Sequence, residues 1–459
     1  MDYGKTTNDT LYERNGSWLR FKTSSQPLPV GTIRIGFMVG HNSDHTLKTV
    51  DPTGILTNRG TWTYVGVADG DYSEIIEWQS QVWDFHLTSN VTDWSYLFSE
   101  NILMITNVVA PNIIDANAYG VTTMEGMFKN SAINNVLSIR NTESCLNTSY
   151  MFYLATKGTI QGISGLHFST PNCLDASYMF YNRYLGLGWD EAYDRFDFRD
   201  TAVCTNMSYM FYNVEGIDRV GAPPISMNSC VDASYMFYET KITTFPYSTA
   251  NVQNMAYMLY GTHITRLPST FSTSSCINAN GALSRTNLVE TPLLDLSHCT
   301  NTKRMFYLSR DLVRANLTSA CLTENVEEMF RYCSSLKYVN AFDISHTDSI
   351  YGMFQDCNVI ESIPLFDTST IVNGSYFAAG AFALKNVPLL NTSRMSNVVS
   401  MFSSCYAVEH GALDLYNQMS TQTVPPRYHN RTFQACGRDT TSGSAELAQI
   451  PSSWGGTGA

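Results

Sequence analysis

One pattern of apolar and polar positions recurs along most of the chain. The segment Ser-Tyr-Met-Phe-Tyr occurs within residues 147–155, 175–183, 206–214 and 232–240, and looser versions continue to the C-terminal region. Alignment on the last apolar residue of this motif gives fourteen repeats, usually 22 to 26 residues apart. A fixed period of this length predicts a stack of similar structural units. The aligned residues are Phe98, Phe128, Phe152, Phe180, Phe211, Phe237, Leu259, Leu283, Phe306, Phe330, Phe354, Phe377, Phe402 and Phe433.

Two periodicities alternate within a repeat. Counting back from the final apolar residue, apolar or small residues occupy positions −7, −4, −1 and 0, as in Cys204, Met207, Met210 and Phe211. At about 100° per residue these positions share one face, which predicts a short helix with an Asp, Asn, Ser or Thr N-cap. Upstream segments that end in a polar turn predict brief strands: ETPLLDLS (290–297), VNAFDIS (339–345), SIPLFDTS (362–369) and NVPLLNTS (386–393).

The pattern therefore predicts an α/β repeat solenoid of the leucine-rich-repeat type, with a parallel sheet on one side and short helices on the other. A single repeat cannot bury its apolar side alone, so neighbouring repeats must stack. The flanking Tyr209 and Tyr212 either cover the core or stand exposed. A structural core ladder is predicted for the motif phenylalanines Phe128, Phe152, Phe180, Phe211, Phe237, Phe306, Phe330, Phe354 and Phe402.

Both ends of the chain differ from the repeats. Residues 31–40 and 61–70 look like strands that end in glycine-rich turns, and residues 411–420 look helical. Terminal segments that depart from a repeat are expected to cover its exposed core. The predicted organisation is a small β-rich N-terminal cap or attachment domain at 1–90, a solenoid of about fourteen repeats at 91–436 and a C-terminal cap or tail at 437–459.

The eleven cysteines follow the same repeat. Six precede the final apolar residue by seven positions, and four follow a motif phenylalanine by three. Thiols at two fixed positions of a repeat are best interpreted as small core residues, not as disulfide partners. A net charge of −12 opposes a nucleic-acid partner.

The first residues contain no apolar segment typical of a secretory signal, and the longest apolar stretch, near residues 376–384, is about half of a membrane span. No membrane insertion is therefore expected.

The repeat cores carry a resemblance. MFRYCSSL (329–336), MFQDCNVI (353–360) and MFSSCYAV (401–408), together with DTSTIVNGSYF (367–377), resemble the BspA-like leucine-rich repeats of bacterial surface proteins. Taken with PLPVGTIRIGF (28–38) and the C-terminal segment, the chain is similar to repeat proteins of tailed phages and prophages of gut bacteria. That likeness implies a virion surface or fibre component that meets the host cell.

One acidic segment is a candidate for chemistry. Residues 189–200 contain Asp190, Asp194 and Asp197 as candidate calcium ligands, or they form a sugar-binding loop in which Trp189 and Tyr193 offer rings to a glycan. The simpler interpretation is a solvated loop whose arginines neutralise neighbouring carboxylates. The spacing of His41, Asp44 and His45 would suit a metal only on a helix, whereas this stretch reads as a turn. No cofactor motif and no catalytic motif is present, so no enzyme is expected.

A second candidate lies in the predicted strands. Phe342, Phe366, Leu294 and Leu390 share one strand position. If they face outward, they form an apolar binding stripe. If they face inward, they are ordinary core, and the sequence alone does not decide the strand register.

These observations favour a non-enzymatic phage virion component that presents a repeat solenoid for host-cell recognition or adhesion. Its partners would be other virion proteins, through the N-terminal domain, and a glycan or protein of the host envelope, with homo-oligomers expected. The alternative is a bacterial cell-surface adhesin of the same repeat type. A glycan-degrading virion enzyme is favoured only by residues 189–200.

Overall fold

Two compact units, Met1–Cys230 and Val231–Ala459, make up the chain. The structure is a computed structural model that describes residues 9–14, 17–23, 33–40, 57–59, 62–70, 72–78, 84–89, 93–95, 112–129, 132–133, 135–136, 138–157, 166–168, 170–181, 196–197, 201–214 and 225–459.

The first unit contains fourteen strands within the described ranges. The strands predicted near residues 31–40 and 61–70 are β3 and β5. In chain order the strands are β1 Asp9–Arg14, β2 Ser17–Thr23, β3 Ile33–Gly40, β4 Thr57–Arg59, β5 Trp62–Gly70, β6 Tyr72–Trp78, β7 Asp84–Ser89, β8 Asn112–Asn117, β9 Ala132–Ile133, β10 Asn135–Val136, β11 Ser138–Arg140, β12 Thr156–Lys157, β13 Leu166–Phe168 and β14 Phe196–Asp197.

The strands of the first unit change from antiparallel to parallel pairing along the chain. Strands β1, β2 and β6 form an antiparallel sheet. A larger sheet has the order β14-β13-β11-β8-β7-β3-β5-β4, in which β10 also pairs with β8. Its β3, β4, β5 and β7 pair antiparallel, whereas β7, β8, β11, β13 and β14 pair parallel. The domain boundary predicted near residue 90 stays a prediction. Strands β7 and β8 lie on either side of it and pair in parallel.

The second unit has few regular elements. Its strands form two small parallel pairs, β15 with β17 and β16 with β18. The helix predicted near residues 411–420 is confirmed as α1. The elements are β15 Leu294–Leu296, β16 Arg314–Ala315, β17 Leu317–Cys321, β18 Tyr338–Val339, α1 Ala412–Ser420, α2 Thr441–Leu447 and a 3-10 helix, Ser452–Trp454.

The short helix predicted in each repeat is wrong for the described repeats. The motif instead forms consecutive overlapping turns, in which an amide donates to the carbonyl three residues earlier. The amide of Tyr153 donates to the Tyr150 carbonyl at 2.9 Å, and that of Ala155 donates to the Phe152 carbonyl at 3.1 Å. The helix fails because two residues of the motif, such as Tyr150 and Leu154, have φ of 56° and 50°, outside the helical region.

Hydrogen bonds between repeats explain this unusual backbone. The backbone amides that form no hydrogen bond within the turns point to the next repeat. Every second amide of the motif therefore donates to a carbonyl of that repeat. The left-handed conformation costs a non-glycine residue roughly 1–2 kcal/mol, and these inter-repeat bonds offset that cost. In one repeat, Thr148 donates to Asp175, Tyr150 to Ser177, Phe152 to Met179 and Leu154 to Tyr181, all at 2.8–2.9 Å.

A polar column starts each set of turns. Five positions before the final apolar residue, one repeat pairs in parallel with the next through an Asn, Asp or Ser in most repeats, as in Asn278, Asn301 and Asn325, and through Thr123 and Tyr428 in two others. The side-chain oxygen also accepts from the amide two residues later, as in Asn301 Oδ1 from Lys303 at 3.1 Å. This bond within the side chain's own turn favours the turn over a helix.

The nine predicted ladder phenylalanines all lie in the core without solvent exposure. In the first unit the rings of Phe128, Phe152, Phe180 and Phe211 stack at centroid distances of 5.3 to 5.6 Å. In the second unit Phe330 stacks on Phe306 and on Phe354, both at 5.3 Å. The phenylalanine ladder therefore joins neighbouring repeats through their largest apolar side chains.

One repeat departs from the alignment made on the sequence. Asn373 pairs with Ser349 and Asn397, which aligns Ala378, not Phe377, with Phe354 and Phe402. Phe377 then occupies the position of the motif methionine. It is buried and meets Phe354 and Phe402 edge to face, at 5.6 and 6.0 Å. In this repeat Phe377 replaces the motif methionine and Ala378 replaces the motif phenylalanine, and both are buried.

The prediction of free, buried cysteines is confirmed. All eleven are free and buried. In the first unit, Cys173 Sγ lies 3.2 Å from the hydroxyl of Thr148 in the preceding repeat. Burial raises the pKa of Cys145, Cys321 and Cys405 to about 12. These thiols therefore serve as small core residues.

We expect the eleven cysteines not to react with Ellman's reagent in the native protein at pH 8, and all to react in concentrated urea. A thiol in the unfolded chain has a pKa of about 8.5, while burial holds the folded value of Cys405 near 12. The stability contributed by the buried thiol is therefore present below pH ~8.5 and is lost as the pH rises towards 12. A Ser396→Cys variant, exposed in the structure, is the reactive control, and rapid native reaction of several thiols would contradict the buried placement.

The C-terminal segment covers the last repeat of the second unit. The Phe433 amide donates to the Trp454 carbonyl at 2.9 Å. The Trp454 side chain is nearly buried and stacks on His429 at 4.2 Å, while Leu447 and Ile450 join the core. The segment supplies acceptor and apolar surface that a further repeat would otherwise provide.

Candidate functional site

The strand positions proposed as a binding stripe lie in the core. Leu294, Leu390, Phe342 and Phe366 are at most 4% exposed, so the inward alternative applies. The residue before three of them faces solvent instead. Of the two segments that contain Phe366 and Leu390, 362–369 and 386–393, neither forms the regular strand that the sequence predicted. The exposed side chains beside the buried ones are those of Leu293, Leu365 and Leu389, which are 68%, 67% and 60% exposed.

The other candidates from the sequence lie outside the described residues. These are Trp189, Tyr193, Asp190 and Asp194, and the residues His41, Asp44 and His45. The backbone of Asp197 lies in β14. The calcium, sugar and solvated-loop interpretations of residues 189–200 stay predictions.

Two columns of tyrosines lie beside the phenylalanine ladder of the first unit. They come from motif positions two before and one after the buried phenylalanine, and both sets are partly exposed. One column contains Tyr150, Tyr178 and Tyr209, with ring centroids 4.6 and 4.4 Å apart. The other contains Tyr153, Tyr181 and Tyr212, at 4.8 and 4.6 Å. We call these six side chains the tyrosine columns.

The tyrosine columns present a neutral aromatic surface with a cation at one end. The ammonium of Lys129 lies 5.6 Å from the ring centroid of Tyr150 and 5.8 Å from that of Tyr153. Partial burial, followed by neighbouring phenols, raises the pKa of Tyr150 and Tyr178. The phenols therefore stay protonated at neutral pH, and their hydroxyl groups can donate and accept hydrogen bonds.

The second unit begins with the same arrangement and then interrupts it. Tyr235 stacks on Tyr257 at 4.9 Å, and Tyr238 stacks on Tyr260 at 4.6 Å. In the next repeat, NGALSR (280–285), Gly281 and Ser284 replace the two tyrosines. Gly281 has a φ of 61°, and a Cβ there would lie 2.5 Å from the Tyr257 ring.

A cleft opens beyond this interruption. Tyr307 resumes the column of Tyr260 two repeats later, and the short side chain of Ser284 is buried between them. The cleft has a volume of about 550 Å³, within the range of small-molecule sites. Its lining residues are Tyr260, Arg285, Thr286, Asn287, Tyr307, Leu308, Arg310 and Asp311. We call this site the tyrosine cleft.

The polar groups of the tyrosine cleft differ in how far they are paired. Arg285 Nη1 lies 2.8 Å from Glu239 Oε1 and 3.3 Å from the Tyr260 hydroxyl, and its guanidinium carbon is 5.4 Å from the Tyr260 centroid. Asn287 Nδ2 donates to Asp311 Oδ2 at 2.9 Å. Within the part of the chain that the structure describes, the exposed guanidinium of Arg310 forms no ion pair. The cleft therefore combines two aromatic rings with one available cation.

The cleft was not predicted from the sequence, although the repeat NGALSR (280–285) carries a signal for it. NGALSR keeps the apolar positions of the motif but loses both tyrosines. The two missing tyrosines are surface residues, so their loss leaves the core positions unchanged. The pattern of apolar positions therefore gave no indication of the cleft.

Metal and membrane features are absent from the described ranges. No group of three or more His, Cys, Asp or Glu side chains there is arranged to hold a metal ion. Among the same residues, no helix has the length and apolar character required to span a bilayer.

Comparison with known proteins identifies one family. The family model described as "Mycoplasma protein of unknown function, DUF285" matches residues 71–185, 225–334 and 324–424. These segments cover more than half of the chain and include most of its repeats. No curated protein and no solved structure matches the chain significantly.

Proposed function

Since the chain belongs to the DUF285 family, we propose that it is a non-enzymatic recognition protein whose repeats form a solenoid that binds a bacterial envelope. BspA-like repeats are compatible with the family match. The observation that carries the proposal is the pair of tyrosine columns. Six partly exposed rings in the first unit form a continuous surface at centroid distances of 4.4 to 4.8 Å.

Such rings suit recognition for two physical reasons. Tyrosine supplies a large contact area with few rotatable bonds, so binding costs little side-chain entropy. Stacking on both neighbours restricts Tyr178 and Tyr181 further. The hydroxyl groups of Tyr178 and Tyr181 hydrogen-bond to Tyr209 and Tyr212. A hydroxyl group can both donate and accept, so each can form a further hydrogen bond with a polar partner, which suits the hydroxyl-rich and apolar faces of envelope glycans.

Repetition of the surface allows many weak contacts to act together. The three repeats of the first unit that contain Phe152, Phe180 and Phe211 offer the same two ring positions, so a partner with its own repeating chemistry gains avidity from simultaneous contacts. The exposed Leu365 and Leu389 add apolar contact surface on the second unit. The net charge of −12 disfavours nucleic acid as the partner.

The proposed location is the surface of a phage virion, where the protein would be a component of a head or tail fibre. The N-terminal region would attach the protein to other virion proteins, and copies of the chain would form homo-oligomers. The support is the likeness of PLPVGTIRIGF (28–38) and the C-terminal segment to phage and prophage repeat proteins. A bacterial cell-surface adhesin is the alternative with the same binding surface.

We expect the double variant Tyr178→Ser/Tyr181→Ser to bind host cells roughly tenfold more weakly than the wild type. Each ring contributes about 0.5–1.5 kcal/mol of aromatic contact, and about 1.4 kcal/mol corresponds to a factor of ten. Flow cytometry of the labelled chain on host bacteria measures the apparent Kd. Tyr428→Ser, which removes a half-exposed ring outside the columns, is the matched control. Equal binding by the double variant and the wild type would contradict the proposal.

The setting has its own test. Mass spectrometry of purified virions should find the chain at constant stoichiometry to the capsid protein. Recovery of the chain in the bacterial envelope and not in particles would support the adhesin instead.

A further inference from the structure

We propose that the tyrosine cleft binds a six-membered sugar ring that carries a carboxylate. This inference rests on the proposed function, because it names the ligand of one site on the recognition surface. It concerns the second unit alone, where the column of Tyr260 is interrupted at Ser284 and resumes at Tyr307.

The spacing of the rings selects a flat or chair-shaped ring. Neighbouring repeats of a parallel stack lie roughly 4.8 Å apart, so Tyr260 and Tyr307, two repeats apart, lie roughly 9–10 Å apart. Carbon atoms in contact are separated by about 3.5–4.0 Å. This separation matches one saccharide ring, whose apolar C–H face can pack on an aromatic ring. The sugar would share these rings with two guanidinium groups, since that of Arg285 lies 5.4 Å from the Tyr260 centroid and that of Arg304 lies 5.5 Å from the Tyr307 centroid.

The charges select the substituent. Arg310 is exposed at the edge of the cleft and forms no ion pair among the described residues, so its planar guanidinium can bind a carboxylate with two parallel hydrogen bonds. Arg285 is less available, because Glu239 lies 2.8 Å from it. The cleft therefore offers one unpaired cation, Arg310, to a ligand that carries one carboxylate.

The remaining polar groups favour hydroxyl neighbours over further charge. Asn287 and Asp311 form a hydrogen-bonded pair at 2.9 Å on the lining of the cleft. A carboxylate and an amide together accept from and donate to hydroxyl groups. Asp311 lies one residue from Arg310 and would repel a densely charged ligand, which excludes a polyphosphate and favours a monocarboxylated sugar.

The test uses the full chain and two matched probes, methyl β-D-glucuronide and methyl β-D-glucoside, which differ at the carboxylate. Titration calorimetry or ligand-observed NMR measures both affinities. We expect the glucuronide to bind at least tenfold more tightly. N-acetylglycine, a carboxylate without a sugar ring, is expected not to bind. Equal affinity for glucuronide and glucoside, binding of neither, or binding of N-acetylglycine as tight as that of the glucuronide would overturn the proposal.

Two variants separate the contributions. Arg310→Gln is expected to weaken glucuronide binding about tenfold and leave the glucoside unchanged, whereas Tyr307→Ser is expected to weaken both. Arg394→Gln and Tyr351→Ser are matched controls, since both residues lie outside the cleft and retain solvent exposure. Unchanged glucuronide affinity in Arg310→Gln would overturn the assignment of the carboxylate site.

Comparison of glucuronide binding with host-cell binding by the same chain distinguishes this inference from the proposed function. Cell binding without glucuronide binding overturns the cleft assignment alone. Glucuronide binding by a chain that does not bind host cells overturns the proposed function and leaves the cleft assignment supported.

Discussion

Replacement of Phe330 with alanine is expected to lower the free energy of unfolding by about 3–5 kcal/mol. Phe330 is completely buried, and its ring stacks at 5.3 Å on both Phe306 and Phe354. The substitution removes buried apolar area and leaves a cavity between two repeats that the stacked backbone cannot close. Equilibrium unfolding in urea, followed by circular dichroism, measures the change.

The matched control is Phe382→Ala. Phe382 is 40% exposed and stacks on Tyr406 at 5.1 Å, outside the phenylalanine ladder. Its loss should cost less than about 1.5 kcal/mol, the usual range for an aromatic pair. A similar loss of stability in both variants would show that the ladder is no more important than surface packing.

Deletion of residues 330–353, one full repeat, is expected to leave a folded protein with a cooperative unfolding transition. Met329 would then join Phe354, and the motif would continue in register. Deletion of residues 330–341 is expected to prevent folding of the second unit. Half a repeat moves several buried side chains out of the core at about 2–5 kcal/mol each, which exceeds a total stability of about 5–15 kcal/mol.

The two deletions control for each other, because both shorten the chain at the same point. Circular dichroism and urea unfolding compare them with the wild type. Nearest-neighbour stacking predicts that only the length matching the repeat is tolerated. Equal tolerance of both lengths, or loss of folding in both, would contradict the solenoid that we propose.

The alignment of one repeat shows a limit of predicting residue positions from the pattern of apolar residues. The pattern aligned Phe377 as the final apolar residue of its repeat, whereas backbone pairing places Ala378 at that position. Both residues are apolar and both are completely buried, so the sequence cannot distinguish the two alignments. The paired Asn373 and Asn397 decide between them, because backbone hydrogen bonds tolerate no shift of one residue.

The motif conformation was beyond local prediction for a related reason. Apolar residues at −7, −4, −1 and 0 fit a helical face, and tyrosine seldom adopts a positive φ. Tyr150, Tyr178 and Tyr209 nevertheless have φ of 56° or 57°. The amides of Tyr150 and Tyr178 then donate to the carbonyls of Ser177 and Ser208 in the next repeat. These hydrogen bonds exist only when repeats are stacked.

The sequence by itself determined the repeat, the residues of the core and the free state of the cysteines, because burial of apolar side chains follows from their spacing along the chain. Only the tertiary structure decided the turns in place of helices, the inward direction of Leu294 and Phe366, and the tyrosine cleft. Each of these depends on a neighbouring repeat, which supplies the hydrogen-bond acceptor, the packing partner or the opposite wall.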